Sequence, residues 1–312
     1  MNRYLNTVIA LLAVAALVLI GLFGSRFVIY ITSRVMILSI FAMGYNVLFG
    51  RTGLLSFGHA AFYAAGAYGL GLFSLHVHPH PLAGILVGVI CAGLLSAMIG
   101  YFCVRHTEIY FAMLTLAFGM MVFSLIWNMR SVTGGDDGLV GIMRAPIAMG
   151  VVSIPMIKPQ YYYFLILSLL LLTTFLIYRI LHSPFGLVLA GIRENEKRVV
   201  FAGVSLKNYR LGAFVISGTF AGLAGALAAL LESHAEPFSA HWSHSAAPIL
   251  VTLIGGLQTF IGPIVGSAVF IVLREMIERF THNWMLWFGL ILLVIIMGFR
   301  GGIVGMFASR SK

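Results

Sequence analysis

Residues Ser183 to Arg210 read SPFGLVLAGIRENEKRVVFAGVSLKNYR, and with His182 they form a polar interlude, 182–210, between two long apolar runs. Arg193, Glu194, Glu196, Lys197, Arg198, Lys207 and Arg210 fall within it and Arg179 just before it, in a chain whose charged fraction is only 9%. A chain that gathers its scarce charge into one stretch holds that stretch in water. Ser183 before Pro184 reads as the N-cap and first-turn pair of one helical piece, and Asn195 before Glu196 opens a second. Gly203 suits a C-terminal stop, and Ser205 is placed to cap the next helix. The second piece, Glu196 to Ala202, is about two turns long, too short to be stable alone in water, so it needs a surface to dock against. Two readings follow: a solvated connector whose charges fix topology, or a docking helix for a cytoplasmic partner.

Outside this stretch the composition settles the class. With 312 residues, 61% of them hydrophobic, and a mean hydropathy of +1.03, the chain is too apolar for a soluble globular domain. It reads as an all-α polytopic membrane protein, a single domain over 1–312 in contact with lipid. The net charge of +10 would suggest nucleic acid in a soluble protein. Here the basic residues stand at the ends of apolar runs, where they orient helices, so no nucleic-acid partner is expected. Cys91 and Cys103 lie in one apolar run and support neither a disulfide framework nor a zinc site.

Before the polar interlude the apolar runs are Thr7–Phe23, Phe27–Phe49, Leu54–Leu75, Pro81–Val104, Ile109–Trp127 and Tyr161–Leu181. The first is longer than a signal-peptide core, lacks a small-x-small cleavage site and reads as a retained helix. HVHPH (His76–His80) and TGGDDG (Thr133–Gly138) lie in connections; polar turns account for both, and no metal site is expected. Leu211–Leu231 follows the interlude and carries closely spaced small residues that let helix backbones approach. The region 246–273 is long for one span and is interrupted by Gly255, Gly256, Gly262 and Pro263. A broken or re-entrant pair of half-helices fits that pattern. Arg274, Glu275, Glu278 and Arg279 make a charged patch, and Trp284–Phe299 is a last run ended by Arg300. The expected total is about 8–10 transmembrane helices, some broken or re-entrant. GLLSFG (Gly53–Gly58) and GLQTFIG (Gly256–Gly262) loosely echo each other, as an internal duplication would.

Parity gives an orientation. A cytoplasmic N-terminus followed by the six runs above returns 182–210 to the cytoplasm, where the excess of Lys and Arg belongs. HVHPH and TGGDDG then face outside, and Arg51 and Arg105 inside.

The chain carries no phosphate-binding G-x-x-x-x-G-K-[ST] loop, no G-x-S-x-G elbow and no H-E-x-x-H helix. No catalytic residue, cofactor or metal is therefore expected. Its acidic residues sit at run ends or in connections, and only Arg34 lies well inside a run, whereas ion-coupled carriers place titratable groups within their spans. That points to a pathway powered from elsewhere.

Four blocks occur in order: NVLFGRTGLLSFGHAAFYAAGAY (Asn46–Tyr68), TGGDDGL (Thr133–Leu139), SPFGLVLAGIRENE (Ser183–Glu196) and GGLQTFIGPIVGSA (Gly255–Ala268). Together they resemble the permease subunits of ABC importers for branched-chain amino acids, of the M type. The resemblance implies a multi-pass protein of the bacterial inner membrane without its own ATPase domain. It implies a second permease subunit of the H type, two cytoplasmic ATPase subunits and an external substrate-binding protein as partners. It also gives the polar interlude the coupling role, with Gly191, Arg193, Glu194, Asn195, Glu196 and Gly203 as coupling-loop residues. Ser56, Gly58, His59, Gly255, Gly256, Gly262 and Pro263 become candidates for pathway or packing. Glu196 is followed by Lys197 and Arg198, a departure from the E-A-A loop of many importer permeases. Similar permeases handle branched-chain amino acids, urea and short amides. From a different class, a stand-alone channel or ion-coupled carrier would use the interlude only as an anchor.

The orientation is testable. Single cysteines at His78 and Asp137, in a chain lacking Cys91 and Cys103, are expected to react with an impermeant reagent outside intact cells. One at Lys197 is expected to stay unmodified, and its labelling would reverse the assignment.

Overall fold

The computed structural model describes residues 3–106, 108–149, 152–281, 283–298 and 301–309. Met1 and Asn2, at the terminus assigned to the cytoplasm, and Phe299 and Arg300, at the end of the last run, lie outside them. Helices α1 (Arg3–Phe23), α2 (Arg26–Thr52), α3 (His59–His76), α4 (Pro81–Cys103) and α5 (Glu108–Asn128) come first. A connection follows with α6 (Arg130–Thr133) and strands β1 (Leu139–Val140), β2 (Ile147–Met149) and β3 (Val152–Ile154). Then come α7 (Pro159–Leu181), α8 (Pro184–Glu194), α9 (Glu196–Phe201), α10 (Leu206–Glu232) and β4 (His234–Ala235). Two 3-10 turns, Pro237–Ala240 and Trp242–Ser245, lead into α11 (Ala246–Gly255), α12 (Gly262–Phe280), α13 (Trp284–Gly298) and α14 (Gly302–Ser309). Helices α2, α4, α5, α7 and α10 are long and apolar enough to cross a membrane.

Local chemistry sets the ends. Ser25 accepts from the Val28 N–H (3.4 Å) to open α2, and Gly53, at φ 77°, closes it. The His80 ring accepts from the Ala83 N–H (3.3 Å), so the HVHPH stretch serves as the N-cap of α4. Pro81, Pro159, Pro184 and Pro263 all stand in first turns, where a missing N–H costs nothing.

Helix α10 is the centre, packed against α2, α3 and α4. It runs antiparallel to α2: the Tyr30 hydroxyl donates to Glu232 at one end (2.7 Å), and Gly44 meets Phe220 further along. A Cβ on Gly66 of α3 would fall 1.9 Å from the Gly222 carbonyl oxygen, and one on Gly222 would fall 2.1 Å from the Ala92 Cβ. Hydrogen there lets three helix backbones touch. Lipid supplies no hydrophobic drive between helices, so this close packing holds them together.

The crossings are interrupted where the sequence alone does not mark it. The run Leu54–Leu75 reads as one helix, but α3 begins only at His59; residues 53–58 fold back from the end of α2 in non-helical form. Likewise 236–245 turns inward as 3-10 structure before α11 starts. The two starts meet, with the Ala60 N–H donating to Ser245 Oγ (2.8 Å). In both places a long central helix, α2 or α10, is followed by a non-helical or 3-10 stretch before the next helix, α3 or α11, begins. The GLLSFG and GLQTFIG echo joins different features: the first leads from α2 into α3, while the second is the tight turn between packed α11 and α12. The expected break in 246–273 is present, and α12 runs on to Phe280. It takes in the charged patch as pairs Arg274–Glu278 (2.8 Å) and Arg279–Glu275 (3.8 Å).

Gly222→Val is expected to remove the chain from the membrane, because overpacking of a well-filled contact costs about 1–3 kcal/mol or more. Gly289→Ala, with nothing within 4 Å of the added carbon, is expected to accumulate normally. Quantitative membrane immunoblotting separates the two.

Candidate functional site

The charged interlude folds into α8 and α9 as its caps dictate. Ser183 accepts from the Gly186 N–H (3.4 Å). Asn195 ends α8 and accepts from the Arg198 N–H (3.1 Å) to start α9. Gly203, at φ 79° and with nothing near a Cβ, makes the stop, whereas Ser205 stands at the N-cap of α10 without a side-chain cap bond. Helix α8 buries Gly186, Leu189 and Ile192 against the bundle and turns Leu187 out. Between α8 and α9 lies a groove of about 490 Å³, lined by Leu187, Gly191, Glu194, Asn195, Arg198 and Val199 among others. Beside it Phe201 is 91% exposed. The groove and the uncovered phenylalanine beside it lie together on the surface of α8 and α9.

The charges divide into holders and presenters. Arg193 points inward, its guanidinium donating to the Gly50 carbonyl at the open C-terminal end of α2, within Coulombic reach of Arg51. Glu194 is exposed. Glu196 faces Arg210, an arginine only 4% exposed at the start of α10, and forms an ion pair with it. The two acids, alike in sequence, therefore differ: Glu194 is exposed to solvent, and Glu196 neutralises a buried cation. Nothing in the spacing shows this, because Glu196 and Arg210 belong to different helices.

The second group gathers where α3 begins. Both ring nitrogens of the fully buried His59 share hydrogen bonds with serine hydroxyls, Nδ1 with Ser56 (2.9 Å) and Nε2 with Ser217 (2.7 Å). The Tyr45 hydroxyl accepts from the Ser56 N–H and donates to the Ser56 carbonyl, each at 3.1 Å. Gly58 lies against Thr115, where a Cβ would fall 2.4 Å from its carbonyl oxygen. Ser56, Gly58 and His59 are thus interior packing and hydrogen-bonding residues.

At the other break Gly255 and Gly262 back onto each other, a Cβ on Gly255 falling 1.9 Å from the Gly262 carbonyl oxygen. Gly256 adopts φ 115°, and Pro263 sits in the first turn of α12. Gly262 is constrained by close approach rather than by a left-handed backbone. All four are buried. Asn46 of α2 reaches this turn, its side-chain amide donating to the Thr259 carbonyl (3.4 Å).

On the opposite face the TGGDDG turn holds the end of α10. The His234 ring bonds to the Asp137 carbonyl (2.9 Å), and β1 pairs antiparallel with β4. Arg144 caps the C-terminal carbonyls of α10 at Leu230 (2.6 Å) and Leu231. Asp136 pairs with Arg130 (3.5 Å) in the open. Among the described residues no three His, Cys, Asp or Glu side chains are placed to hold a metal ion.

Comparison with known proteins adds the family. The family described as "Branched-chain amino acid transport system / permease component" matches residues 27–299. LivM, the permease protein of a high-affinity branched-chain amino acid transport system, is 30% identical over 311 residues in both Salmonella typhimurium and Escherichia coli. Each alignment covers 92% of this chain and 72% of the relative. A probable LivM of Methanocaldococcus jannaschii is 23% identical over 284 residues, covering 78% of this chain and 79% of its own. No solved structure matches significantly.

The acids of the interlude can be told apart by substitution. Glu196→Gln leaves Arg210 buried without its counter-charge and is expected to cost about 1–3 kcal/mol, reduced by solvent at the half-exposed acid. Glu194→Gln is expected to leave stability unchanged. Thermal melting of both variants in detergent checks the difference.

Proposed function

The chain belongs to the branched-chain amino acid transport system / permease component family, and from that premise we propose that it forms, with a second permease chain of the H type, the membrane pathway of an ABC importer. Two ATPase subunits on the face of α8 and α9 drive it, and an external binding protein delivers cargo to the face of TGGDDG. The cargo is leucine, isoleucine or valine, and the membrane is the bacterial inner membrane, with 182–210 in the cytoplasm. Multi-pass insertion follows from the apolar helices and the family.

The observation that carries the coupling role is the α8–α9 groove with Phe201 beside it, a partner-ready surface fixed to the bundle by Arg193 and Arg210. Gly191 belongs to this surface through packing: a Cβ there would fall 3.3 Å from a Val199 methyl, so the two short helices need a small residue at the contact. Asn195 and Gly203 set the ends of α9. Glu194 and Phe201 are the docking residues.

The purified chain is expected to hydrolyse no ATP, since it lacks the glycine backbone and lysine that cradle nucleotide phosphates. Reconstituted with the partner permease, ATPases and binding protein, it is expected to take up radiolabelled leucine in an ATP-dependent manner. Phe201→Ser is expected to reduce ATPase co-purification at unchanged membrane abundance. Uptake without the ATPase subunits would favour a stand-alone carrier, and uptake of urea in place of leucine would reassign the cargo.

A further inference from the structure

Residues 53–58 run from the end of α2 alongside the first half of α5. The Phe57 N–H donates to Thr115 Oγ1 (3.2 Å), and a Cβ on Gly119 would fall 3.1 Å from Gly58 Cα. The stretch therefore lies at the depth of a membrane-spanning helix without helical bonds of its own. Part of it is satisfied inward: Leu54 donates to Thr52 Oγ1 (3.3 Å), Ser56 is held by Tyr45, and Gly58 donates to Ser56 Oγ (3.3 Å). The Leu55 N–H and the Gly53 and Leu55 carbonyls take no hydrogen-bond partner among the described residues. Gly53 and Leu55 line a groove of about 510 Å³ between the stretch and α5, walled further by Phe57, Ala112, Met113 and Leu116. Glu108, exposed and at φ 52°, also lines it.

Non-helical backbone at membrane depth persists only where protein buries it or where it borders water. Hydrocarbon cannot fill this groove without leaving those main-chain groups bare. We propose that the groove is a wet wall of the translocation pathway and that it takes an α-amino acid. Its aliphatic side chain would lie on Leu55, Phe57 and Met113, and its charged end would meet the free main-chain groups of Gly53 and Leu55. The size suits a small ligand, and the mixture of an apolar wall with a few polar points is that of a small-molecule site. The inference rests on the transport reading for its cargo but not for the water. It separates the wall of the pathway from Ser56 and His59, which lie behind it in the protein.

The test uses the chain assembled with its partners in proteoliposomes, with Cys91→Ser and Cys103→Ala as background. Single variants Leu55→Cys and Met113→Cys are compared with Met98→Cys, which is exposed on α4 at a matching distance from the same end of the bundle. A sulfonated methanethiosulfonate is expected to modify both groove positions about tenfold faster than Met98→Cys, since the charged reagent reacts in water and not in lipid. Leucine is expected to slow modification of the groove positions severalfold. Groove positions as slow as Met98→Cys would overturn the proposal, showing lipid or a partner helix against the stretch. Fast modification that leucine leaves unchanged, in a complex that imports leucine, would overturn the cargo site. If the complex imports no amino acid the transport reading fails, while the rates without cargo still decide whether the groove holds water.

Discussion

The fold depends on a small hydrogen-bonded knot at the start of α3. His59 is fully buried, and a neutral imidazole donates at one nitrogen and accepts at the other. Ser56 and Ser217 supply the complementary groups, Tyr45 closes the main chain of Ser56 from the other side, and Ser245 takes the Ala60 N–H. Tyr45, Phe62 and Phe214 meet the His59 ring edge-on and keep the knot dry. Each bond is worth only about 0.5–1.5 kcal/mol net, but an unpaired buried group would cost about 1–3 kcal/mol, so the set stands or fails together. Through it α2, α3, α10 and the approach to α11 are fixed at one point.

That point is joined to the charged surface by rigid elements. Arg210, Phe214, Ser217 and Ala221 fall on one buried stripe of α10 at helical spacing. One end of the stripe is neutralised by Glu196 of α9, and its middle holds His59. Helix α2 makes a second connection, with Arg193 on the Gly50 carbonyl and Tyr45 on Ser56. Helices α8 and α9 are thereby connected, through side-chain contacts, to the helices that flank the non-helical 53–58. The glycine contacts among α3, α4 and α10 are close-packed and resist compression.

The other face is organised by polar contacts of a different kind. Tyr30 and Glu232 tie α2 to α10, and Arg34 and Glu275 lie within Coulombic reach of that pair. Arg34, isolated in the sequence, stacks over the Tyr30 ring at 5.8 Å. Charges of both signs from α2, α10 and α12 thus collect near one end of the bundle, where a cation beside an aromatic ring and an acid costs less than one in lipid.

Periodicity, composition and caps determined a good deal by themselves. Apolar runs located the helices, because a spanning helix must be apolar along its length. Ser183, Asn195 and Gly203 marked the ends of α8 and α9, because capping is decided within a few residues of chain. Gly255, Gly256, Gly262 and Pro263 marked the break before α12 for the same reason. What the tertiary structure decided was of longer range. The apolar Leu54, Leu55 and Phe57 gave no sign that their stretch is non-helical, since its bonds come from Tyr45 and Thr115 on other helices. The polar stretch before Ala246 showed no helical period, and only its contact with Ala60 gives it a place in the bundle. Glu194 and Glu196 carry the same charge, and it is the buried Arg210, brought up by a turn of the chain, that separates their roles. Local rules read helix ends from neighbours in sequence; which polar groups share a buried site depends on partners that only the folded bundle brings together.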